Sequence, residues 1–317
     1  MKRLTAFLLC ILMLLSLCAC TEEEPEPTEP AETYAPVSFE NHGRTVTVGR
    51  APRKAVTAGP HCTEIFCALG LADLVVGKCM SNHSQGALEE LADDYYTIPD
   101  LAVGYPDYED IISSGCDFLL ATDWIFGEDL TIKSLEKAGI TVFVLSTDSI
   151  GSLCADLRTV AKIFEVSGRA EEIIALQAPV ISQIIEKLPE QEPLRVLVLD
   201  SFVGEKVYVT GSYGYENELI SAAGGVNVFA GLEKKWDAVT PEEIMEARPD
   251  FIIIHDYEGS SADEKHAALN EHALLSQLPC VWEGRVLHLP LENSFPGVRC
   301  AMTVELLAAE FFPDMFE

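Results

Sequence analysis

One stretch of this chain occurs twice, and that repeat limits what the chain can fold into. The first copy is DYEDIISSGCDFLLATD, Asp107 to Asp123; the second is TPEEIMEARPDFIIIHD, Thr240 to Asp256. In register they share Glu109 with Glu242, Ile111 with Ile244, Asp117 with Asp250, Phe118 with Phe251 and Asp123 with Asp256. Each opens on a helix cap followed three residues later by an acid: Asp107 with Asp110, and Thr240 with Glu243. Pro241 occupies the first helical position of the second copy. Each ends on an unbroken apolar run, FLLA or FIII, as in a strand buried on both faces. A helix–turn–strand unit repeated once at so long a period predicts two similar lobes rather than a solenoid. Glu109 and Glu242 stand one residue before the acid of each capping pair and are expected to point outward, near the positive end of the helix dipole. Either alone is an ordinary first-turn acid. The same exposed acid in both lobes predicts a shared role.

The rest of the chain alternates in the same way. Ala55–Ala58 reads as a strand, Thr63–Gly70 as a helix ending on a glycine, and Val75–Gly77 as a strand. After the first copy, Leu130–Ala138 is helical and Thr141–Leu145 extended. Ser152–Leu188 is long and helix-rich, broken at Gly168 and carrying Pro179. A second set begins at Arg195–Leu199, passes through the helix Glu216–Ala223, and closes on a helix from Val298 to Phe312. The fold class is α/β: two Rossmann-like lobes with mainly parallel sheets, residues 37–151 and 194–317, joined by a long helical bridge over 152–193. A chain of 317 residues with 48% hydrophobic content has room for two such cores.

The N-terminus is of another kind. Residues 1–19 combine Lys2 and Arg3 with an apolar run too short for a comfortable membrane span, the architecture of a secretory signal. Leu17-Cys18-Ala19-Cys20 resembles a bacterial lipoprotein cleavage box, which implies Cys20 as the lipidated N-terminus of the mature chain, at the extracytoplasmic face of the cell membrane. Residues 20–36 are dense in Glu and Pro and have no aliphatic side chain larger than alanine, so an extended tether is expected. The formal charge of −30 argues against a nucleic-acid partner.

Several stretches together resemble the substrate-binding proteins of ABC importers for iron–siderophore, haem and cobalamin. They are RKAVTAGPHCTEIFCALGLADLVVG, the duplicated unit, ENELISAAGGVNVFAG, WDAVTPEEIMEARPDFIII and LENSFPGVRCAMTVELLAAEFFP, and they cover most of the chain from Arg44 onward. The resemblance implies two lobes bridged by a long helix and one exposed glutamate per lobe docking onto arginines of the membrane permease. By position these are Glu109 and Glu242. Pro179 departs from the unbroken bridge of that family, so a bend or a junction of two helices is expected there.

Ligands of open α/β sheets lie beyond the carboxyl ends of the strands, and two such ends face each other across a cleft. The side chains just past the strands are therefore the ligand-binding candidates. Trp124, Tyr213, Tyr215 and Tyr257, together with Trp236, are expected as aromatic walls, His61 and His255 as contacts at corresponding strand ends, and Arg299, one turn into the last helix, for an anionic group of the ligand. A metal–chelate receptor, most favourably for a ferric siderophore and otherwise for haem or cobalamin, needs no catalytic group and no resident cofactor. A receptor for bare zinc or manganese would instead bring His61, His83, His255 and Asp256 onto one ion. A two-lobed cleft enzyme is the third reading; no nucleophile elbow, phosphate loop or dinucleotide fingerprint supports it. Beyond Cys20 the seven cysteines lack paired short spacings, so buried free thiols are expected. The working partner is an importer permease, and the receptor is expected to be a monomer.

Overall fold

A computed structural model describes residues 34–316. The signal, Cys20 and nearly all of the acidic tether lie outside the described residues. From Pro36 onward the chain forms one compact unit with a two-stranded hairpin sheet and two larger sheets, one in each lobe. It opens on a hairpin of β1 (Val37–Asn41) and β2 (Arg44–Val48), turned through His42 and Gly43, both at positive φ as a two-residue hairpin turn requires. Asn41 fastens the hairpin to the first lobe by two side-chain bonds to the backbone of Val144, at 2.8 and 2.9 Å.

The five-stranded sheet of the first lobe is wholly parallel. The elements of this lobe are β3 (Ala55–Ala58), α1 (Pro60–Ala68), β4 (Val75–Cys79), α2 (Ala92–Tyr95), β5 (Asp100–Ala102), α3 (Tyr108–Ser113), β6 (Phe118–Thr122), α4 (Ile132–Lys137) and β7 (Thr141–Leu145), with strand order β5-β4-β3-β6-β7. β6 lies between two neighbours with helices on both faces, so all five of its residues are buried. Its apolar run packs with Val56, Leu135 and Val142, each worth about 1.5–3 kcal/mol of burial.

Two helices cross between the lobes, α5 (Ile150–Ile163) and α6 (Ser167–Lys187). The break expected at Gly168 falls instead at Glu165, which adopts φ 60° and lets the Val166 N–H return to the Ala161 carbonyl at 2.8 Å. Gly168 lies within the first turn of α6. Pro179 neither ends nor divides α6, which runs through it. Both Pro179 and Ala175, whose carbonyl loses its partner to the proline, are exposed, so water can satisfy that oxygen.

The second lobe comprises β8 (Leu194–Val203), β9 (Lys206–Thr210), α7 (Gly214–Ala222), β10 (Gly225–Asn227), β11 (Trp236–Val239), α8 (Pro241–Ala247), β12 (Phe251–Asp256), α9 (Ala262–Glu271), α10 (Pro279–Trp282), β13 (Val286–Pro290) and α11 (Cys300–Phe311). Its order is β11-β9-β8-β12-β13, with β10 beside the start of β8. Here the sheet is mixed: β9 runs antiparallel to both β8 and β11, and the remaining pairings are parallel. β8 outlasts its expected end at Leu199 because its second half turns to pair with β9. Leu197, Leu199, Ile252 and Ile254 centre a separate core.

The duplicated unit performs the same local task in each lobe. Asp117, between α3 and β6, accepts the backbone N–H groups of Arg53 and Lys54 at 3.0 Å and so secures the chain entering β3. Asp250, between α8 and β12, accepts the Arg195 N–H at 3.0 Å at the start of β8. Both capping boxes form, through Asp107 with Asp110 and Thr240 with Glu243. Among the described residues no helix is long and apolar enough to cross a membrane, and the seven cysteines are unpaired, six of them buried.

Candidate functional site

Residues at and beyond the strands of the two sheets meet around a cavity of about 300 Å³. The first lobe contributes His83 after β4, Tyr105 after β5 and Trp124 after β6. The second contributes Asp200 and Tyr208 from β8 and β9, Trp236 from β11, Tyr257 after β12, and Leu291 and Phe295 after β13. The walls are aromatic and mutually packed. Trp124 meets Trp236 edge to face at 5.6 Å, and Phe295 at 5.5 Å. His83 lies parallel to Tyr257 of the opposite lobe, centroids 6.0 Å apart, and edge-on to Tyr105 at 5.2 Å. Burial lowers the pKa of His83, with the Asp200 charge pulling the other way.

The expected wall residues divide. Trp124, Trp236 and Tyr257 line the cavity. Tyr213 backs the wall, packed on Trp236 at 4.8 Å and fully buried; burial, with Glu216 adding, holds its hydroxyl well above the usual tyrosine range. Tyr215 does not line the cavity. Its amide bonds to the Thr147 carbonyl at 2.8 Å, its ring is fully buried, and Gly214 beside it presses so closely on the Asp148 backbone that a Cβ would clash.

Three polar expectations need correction. Arg299 precedes the last helix rather than lying a turn inside it, and its guanidinium is spent within the protein. It bonds Glu64 through two nitrogens, Asn293 at 3.0 Å and the Gly86 carbonyl at 2.7 Å, which leaves it turned away from the cavity. His255 is 1% exposed and does not line the cavity; its Nε2 is 2.8 Å from Glu216 and its Nδ1 3.3 Å from Asp200. Burial opposes its protonation, but the two carboxylates prevail and raise its pKa to about 9. His61 lies behind Trp124 and Phe295, where burial, with His83 adding, lowers its pKa to about 3. The four candidate metal ligands are not brought together: Asp256 caps α9 through the Ala262 N–H at 2.8 Å, and His83 faces Tyr105 and Tyr257. Among the described residues no group of three His, Cys, Asp or Glu side chains is placed to hold a metal ion.

Tyr105, Asp200 and Tyr208 were not singled out from the sequence. Asp200 carried a usable signal, since it immediately follows the apolar run of β8. Tyr208 did not, because it lies in the middle of the antiparallel strand β9 rather than beyond the carboxyl end of a parallel one.

Glu109 and Glu242 are both exposed, in the first turns of α3 and α8. α3 follows the carboxyl end of β5. α8 follows β11, which runs parallel to β8 because both oppose β9. Each glutamate therefore stands at the edge of its sheet that carries the carboxyl ends of the parallel strands, the edge that faces the cleft.

Two α/β lobes, a helical bridge and an aromatic cavity shared between the lobes define a receptor that captures a small molecule. The chain belongs to the periplasmic binding protein family, whose model matches residues 56–292. It is 25% identical over 320 residues to YvrC of Bacillus subtilis, an uncharacterised ABC transporter substrate-binding lipoprotein, covering 98% of this chain and 97% of that one. It is 23% identical over 209 residues to the vitamin B12-binding protein of Yersinia pestis, covering 65% of this chain and 70% of that one. A solved periplasmic binding protein from Veillonella parvula superposes with a TM-score of 0.77 at 25% identity, over 87% of this chain and 97% of that one. An ABC-type Fe3+-hydroxamate transport protein from Saccharomonospora viridis shares the fold, with a TM-score of 0.73 at 21% identity over 87% and 99% of the two chains.

Proposed function

We propose that this chain is an extracytoplasmic, lipid-anchored substrate-binding protein that captures a metal chelate in the interlobe cavity and delivers it to an ABC importer permease. A ferric siderophore leads the candidates, ahead of haem or cobalamin. The observation that carries the reading is a cavity walled by tryptophan, tyrosine and phenylalanine from both lobes. Such walls suit a large ligand with apolar faces, and a cavity at the small end of the usual range grips one face of it. A bare divalent ion would need oxygen, nitrogen or sulfur donors converging on one point, whereas the nearby histidines have aromatic or carboxylate neighbours. The lipoprotein label of the Bacillus relative supports the anchor at Cys20 and the transporter as partner. Glu109 and Glu242 are the proposed contacts to the permease. The lining side chains Trp124, Trp236 and Tyr257 are the proposed ligand contacts.

The test is a thermal-shift screen against ferric siderophores, haem, cobalamin, Zn2+ and Mn2+. A true cargo at about a hundredfold over its dissociation constant adds about 2.7 kcal/mol of stability. Stabilisation by a bare ion and by no chelate would reverse the reading.

A further inference from the structure

We infer that the cavity selects a neutral or cationic chelate over an anionic one, and that Asp200 is the residue that sets this preference; the inference rests on the receptor reading above. Among the described residues no lysine or arginine lines the cavity. Three basic side chains of the two lobes that could have supplied a counter-charge are engaged elsewhere. Arg299 is held by Glu64, Asn293 and the Gly86 carbonyl. Lys235 crosses from the second lobe to Asp123 of the first at 2.6 Å and to the Thr147 hydroxyl at 2.8 Å. Lys265 donates to the His255 carbonyl at 2.7 Å and lies over the Tyr257 ring.

Among the described residues Asp200 is the one carboxylate on the cavity lining. Its side chain is 17% exposed, with Oδ1 directed to His255 beneath it. Burial alone would favour its neutral form, yet its bond to His255 and the charges of His255 and Lys265 keep its pKa low, so it is an anion at neutral pH. The tyrosines Tyr105, Tyr208 and Tyr257 that share the cavity are held protonated, first by burial and then by the Asp200 charge. The ligand surface therefore meets one fixed negative charge, neutral hydroxyl groups and ring faces. Ring faces attract cations and disfavour anions. The charge of −30 over the whole chain acts in the same direction at longer range. An anionic chelate would lose its hydration and gain no counter-charge, a cost that binding does not recover. A chelate with a cationic or hydrogen-bond-donating arm satisfies Asp200 directly.

The test uses the purified chain with four probes. They are a monocationic ferric tris-hydroxamate (ferrioxamine B), a neutral ferric tris-hydroxamate (ferrichrome), cyanocobalamin, and a trianionic ferric tris-catecholate (ferric enterobactin). Titration calorimetry at low salt is expected to show binding of at least one of the first three, with the trianion bound at least about a hundredfold more weakly. Asp200→Asn is expected to lower the ratio of cation to anion affinity at least about tenfold. Binding of the trianion to the native chain as tightly as the others overturns the charge preference and leaves the receptor reading standing. An unchanged ratio in a folded Asp200→Asn protein removes Asp200 as its source. Should that variant not fold, the comparison of probes on the native chain decides by itself. Failure of every chelate to bind overturns the receptor reading, and this inference with it.

Discussion

Arg299 and Glu64 form a two-point ion pair inside the protein, 235 residues apart in sequence. Nε donates to Oε2 at 2.8 Å and Nη2 to Oε1 at 2.5 Å. Glu64 belongs to the helix that packs on β3 of the first lobe, and Arg299 introduces the helix that packs along the bridge and α7. The pair is a strap between parts of the chain that share no sheet. With Glu64 only 1% exposed, removing its partner leaves a buried charge uncompensated. Arg299→Met is expected to destabilise the chain by about 3–5 kcal/mol, and adding Glu64→Leu to recover much of that loss. Urea unfolding of both variants checks this; equal losses in the single and double variants would show that packing, not charge, fixes the site.

Docking and capture should separate. Glu109 and Glu242 are exposed at the sheet edges and do not line the cavity. Glu109→Ala and Glu242→Ala are expected to abolish uptake by cells while leaving chelate affinity unchanged. An ordinary surface ion pair contributes about 0–1 kcal/mol, so loss of uptake from a single change would mean each pair is desolvated against the permease. Loss of chelate affinity instead would move either residue from the docking surface to the pocket.

The aromatic wall should carry the binding energy. Trp236→Ala removes a ring that touches both Trp124 and Tyr213. It is expected to weaken chelate binding by about 2 kcal/mol, roughly thirtyfold. Tyr215→Phe, away from the cavity, is expected to leave affinity unchanged. Calorimetric titration of the two variants checks the contrast.

Two buried histidines should tilt stability in opposite directions with pH. At His61, whose pKa falls from 6.5 to about 3 on folding, the unfolded chain binds the extra proton. Stability from that site is complete above pH 6.5 and is lost as pH falls towards 3. At His255, whose pKa rises from 6.5 to about 9, the folded chain holds the proton that the unfolded chain releases. That contribution is complete below pH 6.5 and is lost as pH rises through about 9. Melting temperatures across pH should show the alkaline decline flattened in His255→Gln. An unaltered alkaline limb would mean His255 is neutral between its two carboxylates.

How much of this was legible in the sequence depended on whether the deciding partner was local. β6 and β12 were readable because strands covered on both faces leave unbroken apolar runs, and the capping boxes because their partners lie three residues apart. Trp124 and Tyr257 lie where the rule that sites gather beyond strand ends puts them, whereas Trp236 is the first residue of β11. The break at Glu165 was hidden because a glutamate, not a glycine, takes the left-handed position, while Gly168 sits in helix. Arg299 and His255 read as free polar groups because Glu64 and Glu216, which engage them, are distant in sequence. The antiparallel pair β9 and β11 was missed for a related reason: strand direction is a property of pairing, and short apolar runs do not encode it.

The chain has three tryptophans, and their placement offers the most direct measurement. Trp124 and Trp236 line the interlobe cavity, whereas Trp282 is 68% exposed. Titration with a ferric tris-hydroxamate or cobalamin, both of which absorb tryptophan emission, should quench fluorescence saturably. That quench should persist in Trp282→Phe and fall by about half or more in Trp124→Phe or Trp236→Phe, in keeping with a ligand in van der Waals contact with both rings. A quench that disappears only in Trp282→Phe, or no saturable quench with any chelate, would contradict capture between the lobes.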